Sequence, residues 1–245
     1  MSDTLLQIDS VTKAFGGLLA VNSATLDLNQ GEILGLIGPN GAGKTTLFNM
    51  TSGEIQPDKG SIYFSGDDIT GHKPHVIAQS GLVRTFQIVK PFAKLSVVEN
   101  VMVGAFINTS SVEKAEWRAR EVIEFVGLGS HADQPASNLT TASRKRLELA
   151  RALATRPRLL LLDEVMAGLT PTESASMVEL LQSIREQGVT QLVIEHVMQA
   201  IMTLSDRIAV LHHGELIAVG EPAHIASDSR VIEAYLGEEF EIAEN

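Results

Sequence analysis

The chain has 245 residues, 44% of them hydrophobic and 20% charged, which is a globular rather than a disordered composition. Its 30 Asp and Glu outweigh 19 Lys and Arg, and the net charge of −11 argues against a surface built to coat nucleic acid. Cysteine is absent, which excludes disulfides and thiolate metal sites and fits a reducing compartment. No apolar run approaches the roughly 18 residues of a membrane span, and Met1-Ser2-Asp3 lacks the opening of a signal peptide. Any membrane role is therefore expected to run through a partner.

Short strands are predicted first, at Leu5 to Ser10, Thr25 to Asn29 and Glu32 to Ile37, with a further hairpin-like group at Ser61 to Ser65. From Leu95 to Ala154 the pattern turns helical. Val112, Ala115, Ala119, Val122, Ile123 and Val126 share one helical face, and Gly127 supplies a stop. Leu159 to Leu162 is an apolar run that suits a buried parallel strand. Thr172 to Gln187 reads as an amphipathic helix with Thr170 as N-cap, Pro171 at its first position, Glu173 closing a capping box and Gly188 past its end. Gln191 to Glu195 is a second buried strand. Ile208 to Leu211 and Glu215 to Val219 flank His212-His213-Gly214 as a hairpin. Those two histidines read as a turn rather than a metal pair, because adjacent residues on a strand point to opposite sides.

Strands and helices thus alternate at both ends around a helical block. The expected fold is α/β: a mainly parallel sheet with an N-terminal antiparallel β subdomain and an inserted helical subdomain. Within one domain, residues 1–89 with 157–228 form the expected core, 90–156 the helical subdomain, and 229–245 an acidic tail. The tail reads as a solvated end, with five glutamates after position 231 and no lysine or arginine.

Gly38-Pro39-Asn40-Gly41-Ala42-Gly43-Lys44-Thr45 matches the P-loop pattern GxxxxGK[ST]. It follows a predicted strand and opens a helical stretch from Lys44 to Thr51, which is the context the pattern requires. Glycines let the backbone wrap closely enough for successive N–H groups to face phosphate oxygens, and the helix N-terminus adds a positive dipole end. Lys44 is expected to neutralise the β- and γ-phosphates, and the Thr45 hydroxyl to reach Mg²⁺. Thr46, next on the helix, joins the nucleotide-binding set. Asp163 and Glu164 close the strand that begins at Leu159, at the end where open α/β sheets bind ligands. Asp163 is expected to hold Mg²⁺, and Glu164 to polarise an attacking water. His196, after the strand Gln191 to Glu195, is placed to touch the γ-phosphate.

On these residues the chain resembles the ATP-binding-cassette (ABC) ATPases, over nearly its whole length. The resemblance implies further roles. Phe15, in Phe15-Gly16-Gly17-Leu18-Leu19-Ala20-Val21, stands where the family stacks an aromatic on adenine, and Val21 is taken into that nucleotide site with it. Gln87, in Arg84-Thr85-Phe86-Gln87, matches the glutamine that touches Mg²⁺ and water and couples to a membrane partner. Glu164 matches the catalytic glutamate and His196 the switch histidine. More narrowly, residues 15–22, Arg84 to Gln87 and Ile232 to Gly237 resemble the ATPase subunits of branched-chain amino acid importers.

The family's signature, Leu-Ser-Gly-Gly-Gln, is replaced here by Leu139-Thr140-Thr141-Ala142-Ser143, 24 residues before Asp163. In the family this segment meets the partner subunit's ATP across a head-to-tail dimer. Thr140 keeps a hydroxyl, whereas Thr141 and Ala142 add Cβ atoms where backbone nears phosphate, with strain if either φ is positive. Adequate ATP binding and a weakened composite site both stay open. So does the choice between a homodimer and a heterodimer with a second ABC ATPase subunit. Val165 and Thr170 stand where many members have Pro and Asp.

The resemblance implies an ATPase using ATP and Mg²⁺ to power solute uptake, most directly of branched-chain or related amino acids. Its partners would be integral membrane permease subunits and, indirectly, a periplasmic solute-binding protein, with no nucleic acid. It would sit peripherally on the cytoplasmic face of the membrane, with the surface from Phe86 to Val101 as the permease-docking groove. A nucleotide-sensing regulatory subunit with weak hydrolysis, or a non-transport ATPase of the same family, are the competing readings.

Overall fold

The computed structural model of the protein describes residues 4–85 and 90–235. Strands β1 (Thr4–Phe15) and β2 (Leu18–Asn29) form a long hairpin whose other edge takes β4 (Lys59–Phe64) and the two-residue β5 (Asp67–Asp68). This antiparallel sheet has the order β2-β1-β4-β5. The hairpin strands run well beyond the predicted segments. Polar residues at Thr12 and Ser23 interrupt the β signal, but they sit at bulges where the register shifts. There the ladder is mended by hydroxyls: Ser10 N–H donates to Thr25 Oγ1 (3.0 Å) and Ser23 N–H to Thr12 Oγ1 (3.1 Å).

The second sheet contains β3 (Ile33–Ile37), β6 (Leu82–Arg84), β7 (Leu159–Asp163), β8 (Thr190–Ile194), β9 (Arg207–His212) and β10 (Glu215–Gly220). Its order is β10-β9-β3-β8-β7-β6, parallel throughout except for β10. Every residue of β3, β7 and β8 is buried, as a sheet covered on both faces requires. Alternation then divides the core in two. Leu34, Leu36, Leu159, Leu161, Leu192 and Ile194 join the β subdomain and α1 (Lys44–Thr51) on one face. Ile33, Ile37, Leu160, Leu162 and Val193 join α6 (Pro171–Glu186) and α7 (Met198–Leu204) on the other. The sheet's two borders differ in build: β6 has three residues, and β10 is kinked by a register shift between Leu216 and Ala218.

Helix α2 (Pro74–Ser80) precedes β6, and α8 (Pro222–Ser227) follows β10. Between β6 and β7 lie α3 (Val97–Ala105), α4 (Val112–Phe125) and α5 (Thr141–Ala154). The stretch between α4 and α5 is loop with two short 3₁₀ turns, so the helical pattern is broken into three packed pieces. Their starts are chemically marked: Ser96 and Glu99 form a capping box on α3, Ser111 caps α4 and Thr140 caps α5. The predicted box of Thr170 and Glu173 is present on α6, with Pro171 at its start.

Parallel strands bring the C-terminal ends of β3, β7 and β8 to a single edge, and the P-loop, Asp163-Glu164 and His196 follow from those ends. The centre of that arrangement is held by close packing of α7 on β3. A Cβ at Gly35 would lie 2.7 Å from Ser205 Oγ and 2.8 Å from Ile201 Cγ1. Gly35→Ala is expected to destabilise the fold by about 1–3 kcal/mol through overpacking. A denaturation midpoint unchanged from wild type would contradict this packing.

Candidate functional site

The loop from Gly38 to Gly43 leaves β3 and turns into α1 through three left-handed or otherwise glycine-only conformations, φ 150° at Gly38, 77° at Gly41 and 104° at Gly43. Two of them are enforced from outside as well. A Cβ at Gly38 would meet the Leu211 carbonyl, and one at Gly43 the Ala20 carbonyl. The turn after β9 completes the clamp, since Gly214 N–H donates to Ala42 O (2.9 Å) and Asn22 N–H to Gly214 O (2.8 Å). Helix α1 has no side-chain cap and no acidic residue in its first turn, so its dipole end is left for an anion. Lys44 is buried, and its Nζ donates to the carbonyls of Gly38 (2.5 Å) and Pro39 (2.8 Å).

A cavity of about 430 Å³ opens over this loop. Its walls are Asn40 to Thr46, the β1–β2 hairpin end (Phe15, Leu18, Leu19, Ala20), and Glu164, His196 and His213 from across the sheet edge. Phe15 is 46% exposed at the hairpin end, available to a flat apolar ligand group. Val21 is fully buried and lies behind the loop rather than in the cavity, because alternation along β2 turns it into the core. Gly38 and Pro39 likewise do not line the cavity; their carbonyls hold Lys44.

Glu164 and His196 meet directly, with His196 Nε2 3.0 Å from Glu164 Oε1. Glu164 itself has φ 50°. Behind the pair lies Glu195, 3% exposed, whose Oε1 accepts the Met166 N–H (2.7 Å). Burial pushes its carboxyl up to about 7, opposed by the N–H groups of Met166 and His196 and by Lys145, and reinforced by the Glu164 charge.

Asp163 faces a second cavity of about 570 Å³ together with Thr45. There Arg84 Nη2 donates to Asp163 Oδ2 at 2.8 Å, both side chains being almost wholly buried. Arg84 also donates to Asn49 Oδ1 of α1, and its guanidinium lies 5.7 Å from the Phe48 ring centre. The hydroxyl of Thr45 and the carboxylate of Asp163 are hard oxygen donors on one cavity wall, which fits a divalent cation such as Mg²⁺. Gln87, the third expected ligand, lies outside the described residues.

The segment Leu139 to Ser143 lines neither cavity of its own chain. No residue in it has a positive φ, so the strain considered for Thr141 and Ala142 is absent. Thr140 Oγ1 accepts the Ser143 N–H (3.2 Å) and lies 3.1 Å from Ser143 Oγ, so the hydroxyl is engaged in capping α5. Arg84, Lys145, Glu195 and His213 are contributions that sequence reasoning did not find. The His212 and His213 rings lie 4.0 Å apart, contrary to the expected divergence of neighbours, because His213 has φ 47° and leaves the strand alternation.

Such a loop and acidic strand end on one sheet edge, beside a helical insertion, define an ATP-binding cassette. Residues 21–167 match the family described as ABC transporter, and the chain belongs to that family, an ATP-binding subunit whose ATPase activity is coupled to transport. Residues 215–241 match a second family, branched-chain amino acid ATP-binding cassette transporter. The high-affinity branched-chain amino acid transport ATP-binding protein BraF of Pseudomonas aeruginosa is 41% identical, covering 97% of this chain and 100% of that protein. LivG of Escherichia coli, with the same description, is 42% identical with the same coverage. The solved ADP conformation of MJ1267, an ATP-binding cassette of an ABC transporter, superposes with a TM-score of 0.87 at 30% identity, over 96% of this chain and 99% of that one.

The buried Glu195 makes stability depend on pH. Its ordinary value is 4.5 and its folded value about 7, so the native state holds this proton more tightly than the unfolded chain. The resulting stabilisation is complete below the ordinary value and is lost as pH rises through the folded one. Relative to wild type, Glu195→Gln is expected to gain melting temperature progressively from about pH 5 to about pH 8. A difference that stays flat over that range, measured by thermal melts, would contradict the burial of this group.

Proposed function

We propose that this chain energises the uptake of branched-chain amino acids, with ATP hydrolysed in the cavity over Lys44. The observation that carries the chemical part is the Glu164–His196 pair, which shares that cavity with the P-loop. The solute rests on the BraF and LivG likeness and on the match at residues 215–241.

In this reading the triphosphate lies along Asn40 to Thr46, with Lys44 leaving the Gly38 and Pro39 carbonyls to serve phosphate oxygens. Phe15 covers the adenine. Glu164 accepts the proton of a water that attacks the γ-phosphorus, while the bond from that phosphorus to the departing ADP oxygen breaks. His196, hydrogen-bonded to the carboxylate, fixes its direction and reaches the γ-phosphate. Thr45 and Asp163, with Gln87, would hold Mg²⁺, which when bound screens phosphate charge. Glu164→Gln is expected to bind ATP with near wild-type affinity and to lose phosphate release by about 10²–10⁴-fold. Wild-type turnover in that variant would remove Glu164 from the mechanism.

Coupling to transport is assigned to the face around the helical block. Phe92, Leu95 and Val103 are 47%, 37% and 45% exposed there, beside Lys90 and Arg151 at the second cavity. These residues support a docking surface for a permease segment; the Phe86 to Val89 part of the expected groove lies outside the described residues. No helix among the described residues is long and apolar enough to cross a membrane; in this reading the chain attaches peripherally, through the permease, on the cytoplasmic side. A solute-binding protein would act only through that permease, and no nucleic acid is involved.

The altered signature favours pairing with a different ATPase subunit. Thr140 is committed to its own helix cap, and Thr141 and Ala142 place Cβ atoms on the first turn of α5 where glycine would leave bare backbone. A partner with an intact signature would then close over Lys44 and Glu164, while the reciprocal site would be slow. The chain alone is expected to turn over slowly, and to accelerate on mixing with its cognate second cassette. Full cooperative hydrolysis by the chain alone, followed by phosphate release against ATP, would overturn the asymmetric arrangement.

A further inference from the structure

Glu164 occupies the left-handed region at φ 50°. For a residue with a side chain this conformation is sterically strained, and it persists only where the surroundings over-determine it. Three backbone hydrogen bonds do so. The Glu164 N–H donates to Ile194 O on β8 (2.9 Å), and its carbonyl accepts the Ala167 N–H of its own turn (3.2 Å). The third is of another kind: Lys145 Nζ donates to that same carbonyl at 2.8 Å. Lys145 belongs to α5, in the helical insertion, five positions beyond the Thr140 cap.

The side chain that makes this bond is an unusual choice for the place. Lys145 is 7% exposed, and burial pushes its ammonium below the ordinary lysine value. A buried ammonium is retained only where groups of opposite charge or strong acceptors compensate it. Here they are Glu195 from the end of β8, Glu164 and Asp163 from the end of β7, and Glu148 one turn along α5. If the position served packing alone, a methionine of similar length would fill it without the desolvation cost.

We propose that Lys145 is a positioning residue for Glu164, tying the backbone that aims the carboxylate to the helix that the segment 139–143 leads into. The assignment rests on Glu164 acting as the base toward the attacking water. A shift of α5 against β7 is then transmitted to Glu164 through one bond. The nucleotide-contacting loop is untouched, since Lys145 lines neither the cavity over Lys44 nor the one beside Asp163.

The test is Lys145→Met beside Lys145→Arg in the full chain, in whichever assembly gives wild-type turnover. Phosphate release is measured against ATP, and nucleotide binding separately by fluorescence of a labelled ATP. Lys145→Met is expected to lower kcat at least about tenfold, with KM and nucleotide Kd within about twofold of wild type, and Lys145→Arg to recover at least half of the lost rate. The proposal is overturned if the Met variant keeps kcat within about twofold, if its nucleotide affinity falls as much as its kcat, or if Arg does no better than Met. Should the Met variant fail to fold, Lys145→Gln takes its place under the same criteria. A wild-type chain that releases no phosphate defeats the ATPase reading itself, whereas wild-type turnover matched by the Met variant defeats only the role of Lys145.

Discussion

The arrangement depends on a loop held from both sides at van der Waals distance. Gly38 lies against the Leu211 carbonyl and Gly43 against the Ala20 carbonyl, while Gly214 bonds Ala42. A flexible glycine-rich segment would have to be ordered by its ligand, at an entropic cost. Clamped between β2 and the β9–β10 turn, this one has its shape before any phosphate arrives. The same clamp brings the β1–β2 hairpin end and His213 to the cavity rim, so the walls of the site follow from the way its floor is held.

Around that loop the parallel sheet sets distances that no local sequence rule fixes. β7 and β8 are neighbours, and Asp163 lies opposite Ile194 in their register. One residue further on each strand puts Glu164 and Glu195 side by side, and the next brings His196 to the Glu164 carboxylate. The chain therefore collects several charged groups within a dry region: Arg84 with Asp163, and Lys145 with Glu195 and the Glu164 carbonyl. Each buried charge has a partner, as burial demands. In both clusters the cation arrives from outside the strand pair β7–β8, Arg84 from the border strand and Lys145 from the helical insertion.

Much of this was legible in the chain. The spacing of Gly38, Gly41, Gly43 and Lys44, the apolar run ending in Asp163 and Glu164, and the Thr170–Glu173 box are local patterns with local causes, and local physics suffices to read them. What was not legible is pairing at long range. Arg84 and Asp163 are 79 positions apart and Lys145 and Glu164 are 19 apart, and nothing in the composition of either stretch announces the contact. The resemblance puts Val21 with the ligand, whereas alternation along β2 turns its side chain into the core. The full length of β1 and β2 is not legible because polar Thr12 and Ser23 interrupt the apolar pattern, yet the hydroxyls of Thr12 and Thr25 carry the ladder through its bulges.

The borders of the larger sheet have a consequence for how this molecule behaves when crowded against its neighbours. A long straight border strand offers a row of unpaired amides and carbonyls to any passing chain. Here one border is three residues of β6, and the other is bent at Leu216 to Ala218. Neither gives a foreign strand enough straight backbone to zip onto. The larger sheet can thus be brought to high local density without growing across either of its own borders.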